Sequence, residues 1–423
     1  VNGRRVLLLC EDRGVPAEGP SGASAHLRGV ARALAAAGYE VSLATPPADA
    51  RGAQLEALPV ERRPLDDLGR PDWIWERLCV EGHRGPALQR RFDLPRLLEV
   101  NAPVVAERQR VARVTADDTR REAHALATAT RVIAVSRWLG RWCAARGARA
   151  VRVVPNGTDA LRPGDRTGTR ARLGVEGPLA CFIGAGRPWQ GVTELADVLD
   201  AAPDWSLLVL GDAVVRHPRA RLLGRAPRGV LPDLLAAADA GLAPMPADAP
   251  PWLCPLKACD YRAQGVPVVG RAVADLDPDI AVEGTGSAAW VPALDAARAT
   301  PRRPRPRSWA QVVADALAPD GYTSGMVALL LLLLAGCKNP FADDDPPRDC
   351  ATRSAFYPDS DGDGIGEPTA VFVGCTAPDG WVSSVTTPPT DTGGSGATGP
   401  TPTDTGPTGT GSGGSGGSGA RLP

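Results

Sequence analysis

The sequence predicts an α/β protein whose residues before about 320 form two halves, each a parallel sheet flanked by helices, followed by a tail of different chemistry. Three observations predict this. Short apolar, β-branched-rich runs alternate with segments of helical period, the pattern of parallel strands joined by crossover helices. The pattern runs through once, meets a polar Gly-rich connector at Pro163 to Gly168, and starts again. From Met326 the composition changes abruptly.

In the first half, Arg5 to Cys10 reads as a strand, Ser24 to Ala37 as a helix closed by Gly38, and Glu40 to Ala44 as the next strand. Further strands are expected at Asp72 to Trp75, Arg96 to Val100, Arg131 to Val135 and Val151 to Val154, with one long Arg/Glu-rich helix over Ala106 to Ala129. The second half restarts with strands at Leu179 to Ile183, Ser206 to Leu210, Ala220 to Leu223, Ala240 to Ala243 and Val266 to Val269. A basic, Pro-rich run from Pro301 to Arg307 breaks it. One amphipathic helix then follows to Leu317, with Ser308 placed to cap it. The expected boundaries are 1–160 for the first Rossmann-like domain, 176–306 for the second and 307–319 for a crossover helix.

Lys+Arg is 47 and Asp+Glu is 48, so no net field steers the protein to nucleic acid, and no nucleic-acid partner is expected. Only two of the basic residues are lysines, Lys257 and Lys338. Cys10, Cys79, Cys143, Cys181, Cys254 and Cys259 are scattered without metal-type spacing and read as reduced thiols. Val1-Asn-Gly-Arg-Arg opens directly into a strand-like run, so the first 319 residues are expected in the cytoplasm. Gly184-x-Gly186 follows a strand, but its third glycine is misplaced for a dinucleotide loop. Asp275-Leu-Asp-Pro-Asp279 fits a loop better than a metal site.

Six segments carry a resemblance, Val135-Ser136 before a helix among them. Val151-Arg-Val-Val-Pro-Asn-Gly-Thr-Asp159 resembles the PNG-x-D segment of retaining GT-B glycosyltransferases of the glycogen-synthase-like group. Gly22-Ala-Ser-Ala-His26 opening a helix, Leu98-Glu-Val-Asn-Ala-Pro103, Gly184-Ala-Gly-Arg-Pro-Trp-Gln-Gly191, and Pro255-Leu-Lys-Ala-Cys-Asp-Tyr-Arg-Ala-Gln-Gly-Val-Pro-Val-Val269 are similar to that family in the same order. The resemblance implies the GT-B architecture, two Rossmann-like domains facing across a cleft. It also implies transfer of a sugar from a nucleotide-sugar donor to an acceptor hydroxyl with retention of configuration. No cofactor is implied. The acceptor is expected to be a polysaccharide, a lipid-linked sugar or a small molecule. Were the chain a genuine fusion, its apolar run would dock the enzyme shallowly on the inner membrane face. A nucleotide-sugar epimerase, or a relative that binds the donor without turnover, is the alternative on the same fold.

The departing diphosphate gains negative charge, so catalysis needs fixed N–H donors and a cation. Arg187, Lys257 and His26 are the catalytic candidates; Gly22, Gly184, Gly186, Arg187, Gln190, Lys257 and Asp260 are the donor-binding ones; Glu99 and Asn101 lie on the acceptor side. Lys257 stands out because it is the lone lysine before residue 320 and a compact ammonium suits a phosphate. Two departures accompany the resemblance: Gln190 stands where relatives carry a lysine, and Asp260 where they carry a glutamate.

Residues 326–337 contain a nine-residue apolar run, Val327 to Ala335, too short to span a bilayer and ending in Leu334-Ala-Gly-Cys337, which resembles a lipoprotein processing site. Residues 338–381 hold a DxDxDG segment in which Asp359, Asp361 and Asp363 would supply hard oxygens to a weakly bound calcium, flanked by Cys350 and Cys375 that would pair if exported. Residues 382–423 are a Thr/Gly/Ser/Pro tail too poor in apolar surface to order. A cytoplasmic enzyme joined to the start of an exported lipoprotein is the expectation.

Overall fold

The computed structural model describes residues 4–19, 21–45, 61–62, 70–246, 248–273, 275–319, 354–358, 372–374 and 381–382. The expected apolar run, the Asp359, Asp361 and Asp363 loop, Cys350, Cys375 and the tail beyond Val382 lie outside the described residues.

Among the described residues the first half holds seven strands: β1 Arg5–Cys10, β2 Glu40–Ala44, β3 Glu61–Arg62, β4 Trp73–Arg77, β5 Arg96–Val100, β6 Arg131–Ala134 and β7 Val151–Val153. They lie in the order β3-β2-β1-β4-β5-β6-β7, every pairing parallel. The second half repeats the plan with β8 Leu179–Ile183, β9 Ser206–Leu210, β10 Ala220–Leu222, β11 Ala240–Ala243, β12 Val268–Gly270 and β13 Ile280–Ala281, ordered β10-β9-β8-β11-β12-β13 and again all parallel. Both orders are the doubly wound Rossmann order, whose direction reverses between β1 and β4 and between β8 and β11. Ligands of such sheets bind at the carboxyl ends of the strands beside that reversal. Three further strands, β14 Ser354–Pro358, β15 Phe372–Gly374 and β16 Trp381–Val382, pair antiparallel in the order β15-β14-β16.

The helices are α1 Gly22–Ala36, α2 Arg84–Phe92, α3 Val104–Gln109, α4 Ala116–Thr128, α5 Arg137–Ala144, α6 Arg166–Arg172, α7 Leu195–Ala201, α8 Leu231–Ala237, α9 Leu256–Ala263, α10 Trp290–Ala299 and α11 Trp309–Leu317. The single helix expected over Ala106 to Ala129 is two. Thr115 caps α4 and exchanges hydrogen bonds with Asp118 in a capping box, which starts a new helix instead of continuing the old one. Val111 in the break is 77% exposed, so no packing holds those residues helical.

Both cores follow from fully buried strands. Leu7, Leu8, Leu9, Trp73 and Trp75 fill the first half, and Phe182, Tyr261 and Trp290 anchor the second. In the second, Gly241 lies flat beneath Tyr261, where a Cβ would stand 2.3 Å from the ring. The Tyr261 hydroxyl donates to the Cys181 carbonyl at 3.0 Å and accepts from the Ile183 amide at 3.0 Å. That pair of bonds fixes the register of α9 against β8.

The chain crosses between the halves near Thr158 and returns near Ser308, and the two crossings touch: the Thr158 amide donates to the Arg307 carbonyl at 2.8 Å. After the return, α11 packs on α1 of the first half. Its Trp309 ring occupies the space above Gly29, where a Cβ would come within 2.4 Å. Ser308 and Gln311 cap its start, and Arg131 and Arg152 bind the carbonyls at its end.

Candidate functional site

The cleft-facing ends of the two sheets bring together two helix starts. In the first half the loop after β1 is stapled by Arg28, whose Nη1 donates to the carbonyls of Ala17 and Gly19, each at 2.7 Å. Ser21 then caps α1 by accepting from the Ser24 amide at 3.1 Å. Gly22 lies at that start, 3.7 Å from its Cβ position to Leu256 Cδ1 of the second half. Leu256 is the first residue of α9, so the amino ends of α1 and α9 approach each other across the cleft. The positive ends of both helix dipoles converge there, which favours an anion.

Lys257 sits at the same place. It precedes Tyr261 by one helical turn, so the two share a face, and the Tyr261 bonds to β8 hold Lys257 over the carboxyl end of that strand. Its Nζ lies 3.9 Å from the centroid of the Phe182 ring, and the far edge of that ring lies 2.8 Å from the Cβ position of Gly184. The residue is 8% exposed, and no carboxylate pairs with it among the described residues. Burial drags its pKa down to about 7, the neighbouring Cys181 acting slightly the other way.

The loop above it is shaped by glycine. Gly186 has φ +69°, in the left-handed region, and Gly191 has φ +65° with the Pro244 carbonyl oxygen 1.4 Å from its Cβ position, so no side chain fits there. Gln190 turns inward: its Oε1 accepts from the Arg187 amide at 3.2 Å and lies 2.7 Å from the Cβ position of Gly184. It braces the loop. Arg187 itself is exposed on the loop, and no contact joins it to Lys257 among the described residues.

Asp260 is half-buried and accepts from Thr158 Oγ1 at 2.5 Å, which commits it to the crossing segment. Burial raises its pKa to about 6 against the lowering effect of that bond. Nearby, Asn156 is 4% exposed and donates to the Cys254 carbonyl at 3.4 Å, while Cys259 Sγ donates to the Asn156 carbonyl at 3.6 Å.

In the first half the structure gathers His26, Glu99 and Asn101. Glu99 is 3% exposed, so its carboxylate is enclosed under α1 and does not line an open surface. Trp75 Nε1 donates to Glu99 Oε2 at 2.8 Å, Arg77 donates to Oε1 at 3.4 Å, and Asn101 Nδ2 donates to Oε1 as well. His26 Nε2 stands 2.7 Å from Oε1, in contact but not aligned as a hydrogen bond. Burial pushes the Glu99 pKa up, and His26, then Arg77 and Asn101, overcome this and hold it at about 2. The His26 ring packs edge-on against Trp309, centroids 4.7 Å apart.

Sequence reasoning missed the positioning residues Tyr261 and Thr158 and a bond between the halves. The Trp138 amide at the start of α5 donates to Asp275 of the second half, beside a Trp138–Trp252 ring contact with centroids at 5.7 Å. The segment holding Asp275 reads as a loop, and nothing local signals a partner that far along the chain. Among the described residues, no group of three or more His, Cys, Asp or Glu could hold a metal ion, and no helix is long and apolar enough to cross a membrane.

Two Rossmann-like domains facing across one cleft define the GT-B architecture, and solved structures share it. No family model and no curated protein matches the chain. It is similar to a sucrose-phosphate synthase from Thermosynechococcus elongatus (TM-score 0.56, 19% identity, 79% of this chain and 100% of that one). It is also similar to HepE from Anabaena in complex with UDP and glucose (TM-score 0.53, 18% identity, 79% and 100%). A glycosyltransferase from Rickettsia africae is a third (TM-score 0.51, 12% identity, 79% and 98%). At these identities the likeness is one of fold.

Proposed function

We propose that the chain is a glycosyltransferase that moves a sugar from a nucleotide-sugar donor to an acceptor hydroxyl with retention of configuration. The observation that carries the reading is Lys257, a buried cation with no anionic partner among the described residues, held where the amino ends of α1 and α9 meet. A desolvated ammonium facing only an aromatic ring lacks the compensation a charge normally has, and a diphosphate would supply it. The fold is that of proteins such as HepE, described with UDP and glucose bound.

In this mechanism the donor diphosphate lies between the helix starts and under the Gly184 to Gln190 loop. Lys257 and the amides at the start of α9 take up the negative charge that grows as the glycosidic bond breaks. The acceptor hydroxyl attacks on the face the diphosphate leaves, and its proton passes to the departing phosphate oxygen, so no side-chain base is needed. Arg187, on the exposed loop, closes over the phosphates. His26, 4% exposed and held between Glu99 and Trp309, backs the acceptor side without lining it. Asp260 and Thr158 bond the crossing segment to α9 and position it; a ribose hydroxyl is a further partner for the carboxylate.

The test is a panel of nucleotide sugars offered with acceptors to the full chain, with product anomers read by NMR. Retained anomers, lost in Lys257→Ala, support the proposal; inverted anomers, or undiminished transfer by Lys257→Ala, overturn it. One observation favours a second reading, donor binding without turnover: Gln190 is used to brace its own loop and brings no charge to the phosphates. Tight donor binding with neither hydrolysis nor transfer would establish it, and a product epimerised without acceptor would establish an epimerase. For residues from Met326 onward we propose a separate exported unit; a single native species of 43.9 kDa would overturn that.

A further inference from the structure

The first half carries another basic site, on elements that hold none of the cleft residues. Between α2 and α4 opens a cavity of about 210 Å³ lined by Gly82, Pro86 and the basic residues His83, Arg90, Arg120, Arg121 and His124. Five of these seven are basic and no carboxylate lines the cavity. The local acids are already engaged: Asp117 takes Arg120 at 2.6 Å and lies 3.8 Å from Arg121, Asp118 takes Arg121 at 2.6 Å, and Glu11 lies 3.8 Å from His83 Nδ1. Arg90 has no acid among the described residues. Its Nη1 faces His124 Nε2 at 3.1 Å, a contact that holds only if the imidazole offers its lone pair, since a guanidinium can do nothing but donate. Beside them Arg121 Nε is buried with no hydrogen-bond partner. The backbone amides of the loop before α2 are not available, because His83 N and Arg84 N both donate to Glu11 Oε2, at 2.9 and 3.0 Å.

We propose that this groove binds the phosphate group of a small phosphorylated molecule. Two basic side chains turned toward each other with no acid between them, next to an orphaned N–H, form an arrangement that an oxyanion completes. Its oxygens accept from Arg90 and Arg121, and with the anion in place His124 donates where it otherwise has to accept. A phosphate monoester suits the site better than a carboxylate, because it brings up to two charges and three terminal oxygens to a ring of forked guanidinium donors. The site is independent of the donor cleft and of the transferase reading.

The test is calorimetric titration of the full chain carrying Lys257→Ala, which removes the cleft cation as a competing phosphate site. Inorganic phosphate and a hexose 6-phosphate are the probes, against chloride at matched ionic strength. One-to-one binding of either probe is expected. Adding Arg90→Ala should weaken it about tenfold or more, as loss of a charge-assisted bond does. Arg91→Ala, which removes a cation stacked on Phe92 outside the groove, should leave it unchanged. Tighter binding of the hexose phosphate identifies an esterified ligand, and equal binding identifies free phosphate; either supports the site. No binding beyond chloride, or equal losses in Arg90→Ala and Arg91→Ala, overturns it.

Discussion

The two halves share one strand order, yet each treats its buried charge at the cleft differently. Glu99, 3% exposed, is met by Trp75, Arg77, Asn101 and His26. Lys257, 8% exposed, meets the face of one aromatic ring. A desolvated cation–π contact contributes about 2 kcal/mol, whereas burying an ion costs several kcal/mol. The carboxylate is therefore complete within the protein and the ammonium is not. The difference teaches that the first half uses its buried charge to organise structure, whereas the second leaves its charge without a counter-ion among the described residues, which is what the proposed function would use.

Replacing His26 by Leu should give the largest effect, because it takes a partner from a buried ion. The expected loss is about 3–5 kcal/mol in urea unfolding. A loss below about 1 kcal/mol would mean Glu99 does not depend on its neighbours and would dissolve the contrast.

Lys257→Met should do the reverse, sparing stability and costing function. Transfer is expected to fall about 10²–10³-fold, or roughly 2.7–4 kcal/mol, in kcat/KM. The stability comparison has a pH signature. Lys257 falls from 10.5 unfolded to about 7 folded, so the unfolded chain binds more protons between those values. The wild type therefore carries the full burden of the buried cation below pH 7 and sheds it as the pH rises toward 10.5. Lys257→Met should be the more stable protein at pH 6, the gap closing by pH 10. A bound diphosphate restores the charge, so donor binding at pH 8 should take up a proton, measurable by calorimetry in buffers of different ionisation heat. Glu99 has the opposite sign: its stabilisation is present above its unfolded pKa of 4.5 and is lost as the pH falls toward about 2.

Thr158→Val removes the bond to Asp260 and should cost about 1–3 kcal/mol while raising the Asp260 pKa above about 6, read by carbon-detected NMR titration. The smallest effect is expected at Arg187. Its exposed side chain should contribute about 1 kcal/mol at most, so Arg187→Ala should slow transfer far less than Lys257→Met. An equal loss would place the needed charge on the loop instead of on α9.

Most of the strand framework was legible, since alternating runs and turn residues are local signals. Arg5–Cys10, Glu40–Ala44, Arg96–Val100, Leu179–Ile183, Ser206–Leu210 and Ala240–Ala243 begin and end where the pattern does. The break before α4 was written in Thr115 and Asp118, but the surrounding Arg/Glu composition outweighed a two-residue cap. The two-residue strands β3 and β13 are too short for any periodicity to register. At the site, residue types pointed to His26, Glu99, Asn101 and Lys257. Their division into a paired carboxylate and an unpaired ammonium depends on Trp75, Arg77, Phe182 and Tyr261, whose contacts are long-range and leave no mark on neighbouring letters. Gln190 shows the same limit: the family resemblance implies a donor-side position, and its bond to the Arg187 amide becomes visible only in the folded loop.

The final helix has a consequence for biosynthesis. Trp309, Val312, Val313 and Ala316 belong to the same apolar cluster as Leu27, Val30, Ala31 and Leu34 of α1. During translation the amino-terminal half emerges long before those residues exist, so one flank of α1 stays uncovered until nearly the whole second half has been made. A ribosome stalled before residue 309 would carry that flank of α1 as a greasy surface that invites chaperones.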